Sequence, residues 1–470
     1  MVAPALSGLS GLSGLVQGAV AAQTLAAPTL AQMTTAAETK RGDADMITWA
    51  AARPVLVDQY GKIVVWIQYF DQGSSTKYHI PVVSNDAGAT WTAPTRTGFA
   101  NSLGEILMIR GGYAYVAAGD QMAMTCAFTQ VDAGVYVRFY AFTRDGSNNI
   151  TGVTRSRQMQ LEIGVAGMSF ESPGAVMAGT KLLLTWGALN PATVTTKAVI
   201  RATSVVPAGS AADATATNYL APLNENAGSG VTSDPLSSSF IASFKYSILA
   251  EGAANALPYC ALDVLASGDL AFVTALGGGQ GTVYENRAQW SGANSDWRTG
   301  LKTALANDAG HQTVTALGAS GYALKNQLYR LVEGPAGTIG VIGPVWNGSA
   351  DVVQLRTVTV GGTDSVSGAT DVYSAGGAHS YAPTCDLNWH AGAQRFVASY
   401  IKTTTQNSFF KTYTSALAAG QGETALHATA VDIPYVGPLV GGKTFFVDRD
   451  TTTRTLPDKF YSYAGLGTWS

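Results

Sequence analysis

The chain has 470 residues, 28 Lys and Arg against 31 Asp and Glu, and a net charge of −3; only 13% of it is charged, against ~25% in an average soluble protein. Without a basic run or patch it offers no groove that would bind nucleic acid by neutralising phosphates, and without some ~18 consecutive apolar residues it offers no membrane span. Plentiful Thr, Val, Tyr and 53 Gly are the composition of β-strands joined by tight turns, while the aromatics and the low charge set it apart from a disordered chain.

Residues 1–45 form a compositional zone of their own. In "LSGLSGLSGL", Leu6, Leu9, Leu12 and Leu15 recur every third residue. A helix turns 100° per residue, so this spacing drifts around its axis, and Gly8, Gly11 and Gly14 each weaken a helix by ~1 kcal/mol. The zone therefore reads as an extended docking arm, with a short helix over "VQGAVAAQTLAA" before Pro28. The first basic residue is Lys40, so the positive start of a secretory signal is missing. Docked leucines imply a neighbouring subunit, hence a homo-oligomer or a larger assembly.

From residue 46 to 470 the chain repeats. Units start near 54 ("PVLVDQYGKIVVWIQY"), 106 ("ILMIRGGYAYVAA"), 173 ("PGAVMAGTKLLLTW") and 258 ("PYCALDVLASGDLAFVTAL"). Three more start near 328 ("LYRLVEGPAGTIGVI"), 383 ("PTCDLNWHAGAQRFVASYI") and 438 ("PLVGGKTFFV"). Each is a short strand, a Gly-containing turn and a second apolar strand, and most are followed by a third, as in "STKYHIPVVS" and "VYVRFYAFTRDG". Three or four strands per unit, repeated with loops of varying length, predict an all-β fold, a β-propeller of seven blades; six or eight also fit the spacing. The stretch from Val205 to Ser239 is an inserted loop.

"SNDAGATW" carries the one family resemblance. Ser84, Asp86, Gly88, Thr90 and Trp91 resemble the Asp-box, or BNR repeat, of sialidase-type propellers. Asp and Ser side chains can bond backbone amides a few residues on, Gly88 can take positive φ, and Trp91 can plug a gap between strands. The resemblance implies a structural turn lock at the blade periphery, away from the active-site mouth. "SGANSDW" (Ser291 to Trp297) and "SYAGLGTW" (Ser462 to Trp469) keep a Ser and a Trp but not the Asp-Gly pattern.

A sialidase, by the same resemblance, would carry three arginines gripping a carboxylate, a Tyr–Glu nucleophile pair and an acid–base Asp. Arg53 before Pro54 echoes the first arginine, and Asp71 follows in a loop context; Arg201, Arg287 and Arg356 show no local pattern, and Glu171 and Glu285 stand alone. His79, His311, His379, His390 and His427 never take metal-ligand spacing, Cys126, Cys260 and Cys385 form no CxxC, and "GGGQG" (Gly277 to Gly281) has no following Lys. No cofactor or metal is expected. Tyr259, Trp346 and Trp389 read as core rather than as platforms for sugar rings.

A propeller without catalytic motifs, an ordered arm and few charges point away from an enzyme. They suggest a virion structural protein, a bacteriophage tail, collar or fibre component assembled in the host cytoplasm, that docks by its arm and presents loops to host-surface glycan. The alternative is a sialidase-like glycoside hydrolase, with Arg53 as a substrate ligand, or a glycan-binding propeller.

Overall fold

The computed structural model of the chain describes residues 23–33, 43–46, 55–71, 76–99, 105–106, 110–117, 119–128, 134–163, 169–178, 181–190, 195–202, 247–253, 259–264, 270–276, 282–288, 312–314, 330–335, 337–346, 349–359, 365–376, 384–427, 435–440, 442–450 and 461–470. Among the described residues there is no helix, and the strands form seven sheets. Their inner strands, in chain order, are Val55–Val57, Arg110–Val116, Ser169–Ala178, Tyr259–Val264, Arg330–Glu333, Cys385–His390 and Tyr435–Val440. Each packs against the next, and Tyr435–Val440 packs back on Val55–Val57, so the inner strands close a ring. This is the β-propeller that the repeats predict.

Two repeats begin inside their inner strand rather than at its start, and the reason is visible in the register. Pro173 and Pro438 lie where the pairing slips, between Glu171 and Gly174 and between Val436 and Leu439. Proline has no N–H to give the ladder, so it sits at a bulge.

The second strands carry the core. In Ile63–Asp71 the run Ile63, Val64, Val65, Trp66, Ile67 is wholly buried because both faces of the sheet are covered. Ile63, Val65 and Ile67 pack with Tyr435, Phe445 and Val447 of the seventh sheet. Val64 and Trp66 turn the other way, onto Met122, Met124 and Tyr140 of the second. Each fully buried aliphatic side chain contributes about 1.5–3 kcal/mol, so neighbouring sheets stabilise one another. Cys126 and Cys385 are free and buried, as the sequence suggests; burial foremost pushes the Cys385 thiol up.

The N-terminal segment closes the ring. Ala31–Gln32 adds a fourth strand to the seventh sheet, antiparallel to Tyr461–Gly467. Further back, Leu25 bridges Trp469, and Thr24 and Ser470 exchange backbone hydrogen bonds of 3.0 Å. The Gln421 side chain accepts from Leu25 N at 2.7 Å and donates to Leu25 O at 3.0 Å, standing in for one more strand. Leu25 is buried among Val397, Phe410, Leu426, Val436 and Phe446, between the sixth and seventh sheets. Gly465 and Gly467 permit this approach: a Cβ there would lie 2.6 Å from Thr29 O and 2.8 Å from Ala26 O.

The short helix expected before Pro28 is therefore not formed at Gln23–Ala27, which is extended because its backbone is paired with the C-terminus. Thr24–Met33, within the zone read as an arm, belongs to the propeller of its own chain, as does Asp43–Met46, which pairs with Ile67–Phe70. Leu6, Leu9, Leu12 and Leu15 lie outside the described residues, as does the inserted loop from Val205 to Ser239.

Candidate functional site

The turn that follows Thr76–Ser84 is closed by its own side chains. Ser84 Oγ donates to Asp86 Oδ1 at 2.8 Å and accepts from Gly88 N at 2.7 Å. Asp86 also accepts from Thr90 N at 2.8 Å and from Thr90 Oγ1 at 2.5 Å. Burial raises the Asp86 carboxyl, but the bonds from Thr90 and Ser84 outweigh it and hold the group below its ordinary value. Ala87 and Gly88 take φ of 58° and 93° to reverse the chain. Trp91, buried, sets its ring 6.0 Å from Phe445 of the seventh sheet. The four side chains and the Gly88 backbone are spent on the turn and on packing. Ser84 pairs with Ile63, next to the turn Asp58–Lys62, so this corner is at the end of the sheets where the inner strands finish.

A different set of side chains gathers where inner strands begin. Arg330 opens the inner strand of the fifth sheet, Asp386 is second in that of the sixth, and Tyr435 opens that of the seventh. Arg330 Nε stands 3.4 Å from Asp386 Oδ1, while Asp386 Oδ2 accepts from Val436 N at 2.9 Å. The guanidinium carbon lies 5.7 Å from the centroid of the Tyr435 ring. Tyr113, from the inner strand of the second sheet, joins them: burial first, then the fields of Tyr435 and Cys126, push its phenol well above the ordinary value. It stays a neutral donor. Its hydroxyl is buried and has no hydrogen-bond partner among the described residues.

Three sheets thus contribute a cation, a carboxylate and a phenol to one place, with the Tyr113 phenol of a fourth sheet in the field of Tyr435; exposures are 3% for Arg330, 0% for Asp386, 1% for Tyr435 and 7% for Tyr113. An isolated buried charge costs several kcal/mol, so Arg330 and Asp386 persist by neutralising one another. An apolar filling would hold the ring at least as well.

The residues singled out from sequence are scattered by comparison. Arg53, His311, His379 and Gly277 to Gly281 lie outside the described residues. Asp71 ends a second strand, Arg201 and Arg287 lie on third strands, and Glu285 is on a third strand of the fourth sheet. Glu171 is third in the inner strand of the third sheet, so its backbone belongs to the ring. Arg356 is buried in the fifth sheet and donates to Ser367 O at 3.2 Å. His390 ends the inner strand of the sixth sheet and braces the turn after it, accepting from Ala393 N at 2.9 Å with its other ring nitrogen 3.0 Å from Gly442 O. Trp389 packs edge-on to Phe396 at 4.7 Å, in the core as expected. Among the described residues no three His, Cys, Asp or Glu cluster as metal ligands.

One Tyr–Glu pair does occur. Tyr400 donates to Glu423 Oε2 at 2.5 Å, and Glu423 also pairs with Lys402. It lies on the flank of the sixth sheet, between its second strand, Arg395–Ile401, and the approach to its outer strand, Thr424–His427. Burial and the Glu423 bond push the phenol up, so Tyr400 is a donor there and no nucleophile. The axial residues, by contrast, were missed. Their signal was positional: three of the four stand at or next to the first residue of an inner strand.

No known family's sequence profile matches the chain, and no curated protein matches it. Solved structures of similar fold include a GH93 α-L-arabinofuranosidase of Fusarium graminearum, at 10% identity, covering 94% of this chain and 97% of that one, with a TM-score of 0.44. A PL25 ulvan lyase, 7% identical, covers 93% and 96% at a TM-score of 0.47. The leech intramolecular trans-sialidase, 10% identical, covers 92% and 68% at 0.40. All three are named as enzymes, whereas the sequence reading leaned toward a non-enzymatic chain. The virion reading gains no support from them.

Proposed function

We propose that the chain is a carbohydrate-active propeller, a glycoside hydrolase that works at the axial cluster. The observation that carries this reading is the convergence of Arg330, Asp386 and Tyr435 from three sheets, with Tyr113 of a fourth in the field of Tyr435, at a position that apolar side chains could fill without loss of stability. The Tyr113 hydroxyl, without a hydrogen-bond partner among the described residues, supports it: a buried donor without an acceptor costs about 1–3 kcal/mol, and a sugar oxygen would supply the acceptor.

The side chains suit glycoside chemistry in which a phenol takes part. Most glycosidases use two carboxylates about 5–10 Å apart, with tyrosine nucleophiles as the sialidase exception. The described side chains of the cluster offer one carboxylate, Asp386, and two phenols. In this reading Tyr435 faces the anomeric carbon, Asp386 handles the proton, Arg330 balances the charge, and Tyr113 donates to a sugar oxygen. Turnover should appear as new reducing ends when the protein is incubated with a panel of glycosides and polysaccharides, anionic and neutral. Tyr435→Phe, which keeps the ring and its packing, should cut the rate at least ~100-fold, the usual order for losing a group that acts on the reacting atoms. Binding without hydrolysis of any substrate would mark a lectin-like propeller and overturn the reading.

A further inference from the structure

Among the described residues the one exposed large hydrophobic side chain is Tyr60, at 44%, and it ends a stack. The Arg144 guanidinium lies 4.6 Å from the Tyr60 ring and 5.5 Å from the Phe142 ring. Phe142 in turn lies 6.3 Å from Tyr115 at an interplanar angle of 13°. The order is Tyr60, Arg144, Phe142, Tyr115, running from solvent inward.

This stack is anchored by a charge network. Arg144 pairs with Asp58 at 2.8 Å and with both oxygens of Asp120, at 2.5 and 2.7 Å. Tyr115 donates to Asp120 at 2.9 Å, and Asp58 accepts from the backbone N–H of Tyr60 at 2.8 Å. Asp58 and Tyr60 lie in the turn after the first inner strand and Asp120 in the turn after the second, which is the end of the ring away from the axial cluster. The ring is therefore held at both its backbone and one face, while its other face is open.

We infer that Tyr60 is a platform for one sugar ring of a glycan, a second carbohydrate site on the opposite end of the propeller. A pyranose presents an apolar C–H face of the size of one phenol ring, and two exposed residues, Gln59 next to Tyr60 in the chain and Asn148, whose backbone oxygen accepts from Arg144 at 2.9 Å, bring amides to the neighbourhood for its hydroxyls. The chemistry favours a glycan over a protein partner. A stable protein interface needs ~800 Å² per side with an apolar, aromatic centre, and one ring among polar neighbours does not supply it. Immobilising Tyr60 in advance removes the ordering cost that a weak stacking contact could not repay. The inference takes from the proposed function only the class of ligand.

Native electrophoresis of the full chain through gels containing galactomannan or polygalacturonate tests it. Wild type should be retarded in at least one gel; Tyr60→Ala should lose at least ten-fold in apparent affinity, and Tyr60→Trp should keep it. All variants should hydrolyse a short soluble glycoside alike. Equal retardation of wild type and Tyr60→Ala, or no retardation of wild type in either gel, would overturn the platform. So would a change in oligomeric state, with unchanged retardation, on Tyr60→Ala, which would make the ring a contact between copies. Retardation lost with Tyr60 in a protein that hydrolyses nothing would uphold the platform and sink the hydrolase; hydrolysis without Tyr60-dependent retardation would do the reverse.

Discussion

Deleting residues 1–33 is expected to abolish the cooperative unfolding transition of the propeller. Leu25→Ala alone should lower the unfolding free energy by about 2–5 kcal/mol, the usual cost of truncating a fully buried leucine. The deletion also removes the outer strand Ala31–Gln32, takes Leu25 off Val436 and Phe446 and removes the Leu25 partner from both ends of the Gln421 side chain. Together these approach the ~5–15 kcal/mol that holds an ordinary domain together. Urea unfolding followed by tryptophan fluorescence reads the effect, and Gln421→Ala should show a smaller loss of about 1–2 kcal/mol. A truncated chain that unfolds like the wild type would mean that the last sheet holds without its N-terminal strand.

The second large effect is at the axis. Asp386→Ala takes the carboxylate away from the buried Arg330 cation and removes the acceptor of Val436 N–H, and should cost about 3–5 kcal/mol in the same assay. Replacing both partners at once, Arg330→Met with Asp386→Leu, should restore most of that stability, because well-packed apolar side chains substitute for a buried pair without the desolvation cost. The double variant should nonetheless be inactive on every glycan that the wild type turns over. A double variant as active as wild type would reduce the pair to a structural tie between the fifth and sixth sheets.

Much of the fold was legible because it rests on local signals that repeat. A short strand, a glycine turn and an apolar run recur with each sheet, and the apolar runs are continuous, as in "IVVWI", because neighbouring sheets cover both faces. The turn at Ser84–Trp91 was legible for the same reason: its bonds join residues no more than four apart. The ring closure was not. Nothing in "QTLAAPTLAQM" announces that its partners are Gln421 and the last ten residues of the chain, since a two-residue strand has no periodicity of its own. The reading of residues 1–45 as one arm failed at Thr24–Met33 for that reason.

The candidate site was the least legible part. Arg330, Asp386, Tyr435 and Tyr113 are separated by tens to hundreds of residues and share no motif; only ring closure brings them together. Sequence reasoning named Arg53 only in its alternative reading, because a family pattern has such an arginine, and passed over Asp386 because "PTCDLNW" reads as an ordinary inner strand. Position in the repeat was the usable clue, since residues that open inner strands must face one end of the ring.

Tyr113→Phe is the sharpest single measurement, because stability and turnover should move apart. Removing a buried hydroxyl that has no hydrogen-bond partner among the described residues leaves the melting temperature unchanged or raises it, by up to ~1 kcal/mol of stability, while hydrolysis should fall for want of that donor. If the phenylalanine variant melts at or above wild type and hydrolyses markedly more slowly, the axis is a place built for a sugar. If it hydrolyses at the wild-type rate, the axial cluster is mere packing and the assignment of function fails.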